Sequence, residues 1–135
     1  MPQNDAESFK WLTLAAEQGH PVAQFGLASF YLRGKVVPKD MTTALKWYRN
    51  AAEQGLDLAQ NSLGYACAIG EGIPQDLVEA YKWYSLALIK TNRDADVNMR
   101  NLLPQMTETQ ITLGKLRAAA FKPVKKAGTD PGPAR

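Results

Sequence analysis

The chain has 135 residues, enough for one domain. Hydrophobic residues make up 45% and charged residues 21%, the balance of a folded globular chain rather than a disordered one, and no apolar run is long enough to cross a membrane. The net charge of +3 belongs to one end: residues 114–135 hold six basic side chains against Asp130, while the rest hold ten basic and twelve acidic, so the body does not read as a nucleic-acid-binding surface.

Cys67 and His20 are each alone in their type, which excludes an internal disulfide framework and a cysteine-rich zinc site. A histidine-based metal centre would need mostly carboxylates as its other ligands. No metal and no cofactor is therefore expected. Met1 to Asp5 show no basic stretch followed by an apolar one, so no secretory leader is expected. One cysteine and no leader fit the cytoplasm slightly better than the periplasm.

In chain order, the first predicted helix covers 5–18, with Asn4 at its N-cap, Glu7 three residues on as in a capping box, and Gly19 to stop it. A second covers 21–33, with Pro21 in the first turn, where no amide hydrogen is needed, and Gly34 after its end. A third covers 41–54 behind Asp40. Its Met41, Ala44, Leu45, Tyr48, Ala51 and Ala52 form the stripe of an amphipathic helix, and Gly55 ends it. A fourth covers 57–69, with Ala59, Leu63, Ala66 and Cys67 as its stripe. Gly70-Glu71-Gly72-Ile73-Pro74 turns the chain onward. A fifth covers 77–90, behind Asp76 with Glu79 in the capping-box place, and a sixth covers 95–103. Pro104 breaks the pattern. A seventh covers 107–121, where Thr107 and Gln110 complete a capping box and Gly114 marks a close helix crossing. Residues 122–135 read as a disordered basic tail.

These elements repeat. Trp11, Trp47 and Trp83 are 36 residues apart, and so are Lys10, Lys46 and Lys82. Ala15-Ala16-Glu17-Gln18-Gly19 returns intact as Ala51-Ala52-Glu53-Gln54-Gly55, and Gly34, Pro38 and Asp40 return as Gly70, Pro74 and Asp76. A period of 36 with two helices per period predicts an all-α solenoid of antiparallel helix pairs, each touching only its neighbours and leaving a continuous concave face. The expected division is a repeat domain over 1–121 (half repeat 4–19, repeats 20–55 and 56–91, partial repeat 92–104, capping helix 107–121) and the tail 122–135.

Ala59-x-x-x-Leu63-Gly64, then Gly70-x-Gly72-Ile73-x-x-Asp76, then Ala80-x-x-Trp83-Tyr84, with the block Ala51 to Gly55, resemble the Sel-1-like repeat, a relative of the tetratricopeptide repeat. The resemblance covers residues 4–103. Met106-Thr107-Glu108-x-Gln110-Ile111 through Phe121-Lys122-Pro123 resembles the terminal helix that follows such arrays in bacterial members. The resemblance implies a right-handed superhelix that serves as an adaptor in protein assemblies. Two positions depart from the pattern. Val36 stands where a second turn glycine belongs, so that turn is expected to differ from the one at Gly72, and Cys67 stands where Tyr31 supplies an aromatic. The paired cysteines of disulfide-stapled members are absent, so their particular properties are not carried over.

The Trp ladder is assigned to packing between helix pairs, each indole N–H bonded to a nearby carbonyl, because it recurs at the structural period. Gly19, Gly34, Gly55, Gly70 and Gly72 are likewise structural. Positions that differ between repeats are the candidates for binding: Phe25, Ser29 and Arg33 on the second helix, Asn61, Tyr65 and Ile69 on the fourth, and Val97 and Asn101 on the sixth. They share one helical face, distinct from the core stripe, on the concave side.

No nucleophile–base pair or phosphate-binding loop is visible, and no serine is followed three residues later by lysine, so no enzyme is expected. The reading is a protein-binding scaffold that holds a peptide or helix of another protein, without nucleic acid and without direct membrane insertion. The alternative is a self-assembling unit, or a fragment of a larger repeat protein, docking through the N-terminal edge. There, Phe9, Leu12, Ala15 and Ala16 of helix 5–18 are expected to lack a neighbour and to allow a homodimer. A β-lactam or cell-wall hydrolase is the remote third.

Overall fold

The computed structural model describes residues 4–124. Among them are seven α-helices and no strand: α1 (Asp5–Glu17), α2 (Pro21–Arg33), α3 (Met41–Glu53), α4 (Asp57–Ile69), α5 (Leu77–Ile89), α6 (Arg93–Leu102) and α7 (Glu108–Ala120), with a 3-10 turn at Leu103–Gln105. The chain is an all-helical solenoid that alternates between two rows. α1, α3 and α5 begin 36 residues apart, as do α2, α4 and α6. Successive helices from α1 to α6 pack on one another, α4 also meets α6, and α7 bypasses α6 to pack on α5. It thereby leaves the pattern of α3 and α5, each of which packs mainly on the helices just before and after it.

Local chemistry sets the helix starts. Asn4, Asp40 and Asp76 each accept from the amide three residues on, at 2.8, 3.1 and 3.0 Å, caps worth about 1 kcal/mol apiece. Thr107 and Gln110 exchange both bonds of the capping box. Glu79 instead turns its carboxylate to Arg117 of α7, at 2.7 Å. α6 starts at Arg93, two residues before the expected 95, because Asn92 caps it. Asn92 accepts from Ala95 N at 2.9 Å while its own amide donates to Asp57.

The turn after α2 has the same form as the turn after α4. Val36 takes φ +70°, beside +79° at Gly72. The valine was expected to change the turn; it is instead forced into the left-handed region, at about 1–2 kcal/mol for a residue with a Cβ. Thr91 sits at φ +57° in the place held by Gly19 and Gly55.

Small residues carry the stack. Ala16 and Ala52, Ala44 and Ala80, and Ala59 and Ala95 are period mates with almost no exposure, so backbones approach closely. Leu27, Leu63 and Met99 fill one equivalent slot in three successive repeats. Gln24 and Gln60 are buried polar exceptions with a purpose: their amides add a second donor to Ala16 O and Ala52 O, carbonyls at the ends of α1 and α3 that also accept from Gly19 N and Gly55 N. Gln54 in turn donates to Gln24 Oε1 at 3.0 Å. One period on, the residue in Gln54's place is Lys90, whose ammonium goes to Gly55 O, and Gln60 Oε1 has no partner among the described residues.

Two expectations are corrected at the ends. Phe9, Leu12, Ala15 and Ala16 do not lack a neighbour: they pack against Ala23 and Leu27 of α2. The outward apolar residues of α1 are Trp11 and Leu14. After α7 the chain does not turn loose at 122. It runs back over the end of α3, where Pro123 approaches Gly55 and Val124 N–H donates to Glu53 O at 2.7 Å. The rest of the expected tail, 125–135, lies outside the described residues.

Candidate functional site

α2 and α4 place the variable residues around two clefts. The first, about 300 Å³, lies over Leu12, Phe25 and Phe30 and is edged by Ser29, Arg33 and Lys35. The second, about 230 Å³, lies over Leu32, Leu45 and Tyr48 and is edged by Asn61, Tyr65 and Glu71. They are the same cleft one period apart. Leu12, Phe25, Ser29 and Lys35 of the first correspond to Tyr48, Asn61, Tyr65 and Glu71 of the second. The Phe25 ring rests on Tyr48, centroids 5.4 Å apart, and forms the wall between them.

Of the eight predicted binding residues, Phe25, Ser29 and Arg33 meet in the first cleft, and Asn61 and Tyr65 in the second. Ile69, Val97 and Asn101 line neither. Ile69 and Val97 are 50% and 55% exposed, as is Tyr65 at 49%. Ser29 Oγ donates to Phe25 O within its own helix, so this hydroxyl is largely committed. Asn61 Oδ1 accepts from Asn98 Nδ2 at 2.9 Å, which ties α4 to α6. Asn98 also lines the second cleft and was missed, because the face drawn through Phe25, Asn61 and Val97 leaves out its own period mates Gly26 and Ser62, which line the two clefts. Leu12, Lys35, Tyr48 and Glu71 were missed too, although the changes from Leu12 to Tyr48 and from Lys35 to Glu71 are themselves visible differences between repeats.

The edges differ in charge. Lys35 is held by Asp5 at 3.2 Å. Glu71 is its period mate, but Met41 replaces Asp5, and Glu71 has no ion-pair partner among the described residues. Arg33 has none either among the described residues, and its period mate is the apolar Ile69, which lines neither cleft.

The Trp ladder is graded. Trp83 is 1% exposed, with the Phe121 ring edge-on at 5.6 Å and Lys82 Nζ 4.3 Å from its centroid. Trp47 is half-buried and bridges the two apolar clusters, and Trp11 is 57% exposed. Shared sequence position does not give shared burial, because only Trp83 has Phe121 to cover it. The expected indole-to-carbonyl bond is missing at Trp83: its Nε1–H is buried without a partner among the described residues.

Nothing in the described residues assembles a nucleophile. Cys67 is buried, and desolvation, with a smaller contribution from the Glu79 charge, pushes its thiol up to about 11. Burial likewise raises the Tyr84 phenol. No group of three or more His, Cys, Asp or Glu among the described residues could hold a metal ion, and none of the described helices is long and apolar enough to cross a membrane.

The Sel1 repeat family model matches residues 1–20, 21–56 and 57–90. The chain is similar to the crystal structure of c5321, a protective antigen present in uropathogenic Escherichia coli strains displaying an SLR fold, at 31% identity and a TM-score of 0.82 over 90% of this chain. It spans only 27% of that protein's chain. A Sel1 repeat protein from Oxalobacter formigenes is 40% identical, with a TM-score of 0.69, over 73% of this chain and 74% of that one. No curated protein matches the chain.

Proposed function

The chain belongs to the Sel1 repeat family, whose members are generally protein-interaction scaffolds and typically non-catalytic, and from that premise we propose that its two clefts form one binding groove for a segment of a partner protein. The observation that carries this reading is the pairing of the clefts. Two equivalent apolar depressions, separated by the Phe25–Tyr48 wall, open side by side along α2 and α4. A single small-molecule site would not recur at the structural period, whereas successive side chains of one peptide would occupy successive depressions. Exposed Tyr65 and Ile69 supply the half-open apolar surface that a partner covers.

The test is to pan a peptide library against the chain and then measure the selected peptides against Asn61→Ala with Tyr65→Ala. Both side chains stand at the edge of the second cleft rather than in the core, so helical circular dichroism stays unchanged while affinity falls at least about tenfold. Full affinity in the folded double variant would place the groove elsewhere.

A further inference from the structure

The groove has a polarity that neither cleft has alone. Arg33, the last residue of α2, edges the first cleft without an ion-pair partner among the described residues, and Glu71, just past the end of α4, edges the second in the same condition. This polarity comes from two sequence changes at one period. Asp5 neutralises Lys35 in the first repeat, but Met41 in its place leaves Glu71 unanswered, and Ile69 removes the cation that would balance it. Among the described residues the first cleft is therefore left with an unpaired cation and the second with an unpaired anion.

We infer that the occupant is an extended peptide segment of another protein carrying an acidic side chain against Arg33 and a basic side chain against Glu71, its apolar side chains seated on Leu12–Phe25 and on Leu32–Tyr48. This inference rests on the peptide-binding reading above and adds the chemistry of the ligand. The division of labour follows from magnitudes. Solvent-exposed ion pairs contribute little affinity and are screened by salt. The apolar floors hold the peptide, and the charges fix its direction and register. A peptide lying the other way sets like charges together at both clefts, and a neutral one loses only the preference for direction.

The probes are capped nine-residue peptides in which one aspartate and one lysine are placed at every pair of positions in a leucine–serine–alanine background, each matched by a control with asparagine and glutamine. Fluorescence anisotropy with the full chain should show one charge order binding at least about tenfold tighter than its reverse, with the neutral control in between. In the double swap Arg33→Glu with Glu71→Lys, whose sites are exposed, the preferred order should reverse with helical circular dichroism unchanged. Binding that ignores charge order, or a preference that survives the swap, overturns the inference and leaves the groove standing. No binding by any probe up to about millimolar concentration removes the groove as well. Self-association of the full chain in sedimentation that Arg33→Glu abolishes would make a second copy the occupant and overturn the inference too.

Discussion

Gly114 of α7 lies against the ring of Tyr81 of α5 so closely that a Cβ on it would come within 2.6 Å of Tyr81 Cδ1. Two principles disagree about its replacement. Helix propensity favours alanine over an interior glycine by about 1 kcal/mol, whereas overpacking a tight contact costs about 1–3 kcal/mol. The clash falls on a ring wedged between helices, so it should win. Gly114→Ala should lower stability in urea unfolding, and adding Tyr81→Leu should recover part of the loss. A more stable Gly114→Ala would mean that α7 shifts freely on α5.

Val36 and Gly72 share a left-handed conformation, and only one of them suits it. Val36→Gly should stabilise the protein by about 1 kcal/mol, the relief of strain being partly offset by the added freedom of the unfolded chain. Gly72→Val should destabilise it by more than that gain, because its Cβ would also stand 2.8 Å from Leu45 Cδ1. Thermal melts of the two single variants decide the matter, and equal shifts of the same sign would contradict it.

The graded ladder can be read one indole at a time. With the other two tryptophans replaced by phenylalanine, Trp11 alone should emit at long wavelength and be quenched readily by acrylamide. Trp83 alone should emit at short wavelength and resist quenching. Phe121→Ala should cost about 2–4 kcal/mol and shift the Trp83 emission toward that of Trp11, since the ring is its cover.

Alkaline pH should unfold the protein early. In the unfolded chain the Cys67 thiol ionises near its ordinary value, about 8.5, whereas in the fold desolvation holds it up at about 11. Between these values the folded state binds more protons than the unfolded one, so stability falls as pH rises. Below about 8.5 both states are protonated at this site and the contribution is fully present. The melting temperature should decline from there to about pH 11. Cys67→Ala should flatten the first part of that decline, and Tyr84→Phe should flatten the part nearer the phenol's range. Unchanged slopes in both variants would assign the alkaline loss to other groups.

Most of the framework was legible because it is local. Caps such as Asp40 and Asp76 and stops such as Gly34 and Gly70 act within a turn of their own position, so six of the seven helices fall within one residue of the expected span at each end, and α6 starts two residues early only because the Asn92 cap went unrecognised. The close crossing at Gly114 was legible for the same reason: an interior glycine needs a cause. What escaped depends on distant partners. Nothing near Phe9 or Leu12 says that α2 covers their face, and nothing near Trp83 says that its N–H goes unanswered. The groove was half legible. Variation between repeats pointed to Phe25, Asn61 and Tyr65, but the depressions also need Leu12 and Tyr48 from the other row, and Asn98 from the next helix position.

The bond from Val124 to Glu53 is the farthest-reaching in sequence among the described hydrogen bonds. Elsewhere the main packing joins helices one or two places apart in the chain, and such a stack is free to peel from either end. The segment past α7 acts as a clasp: it crosses the edge of the stack and fastens to an element four helices earlier. Peeling from that side must first undo the clasp, so a protease cut near Phe121 should convert a single cooperative melt into a staggered one.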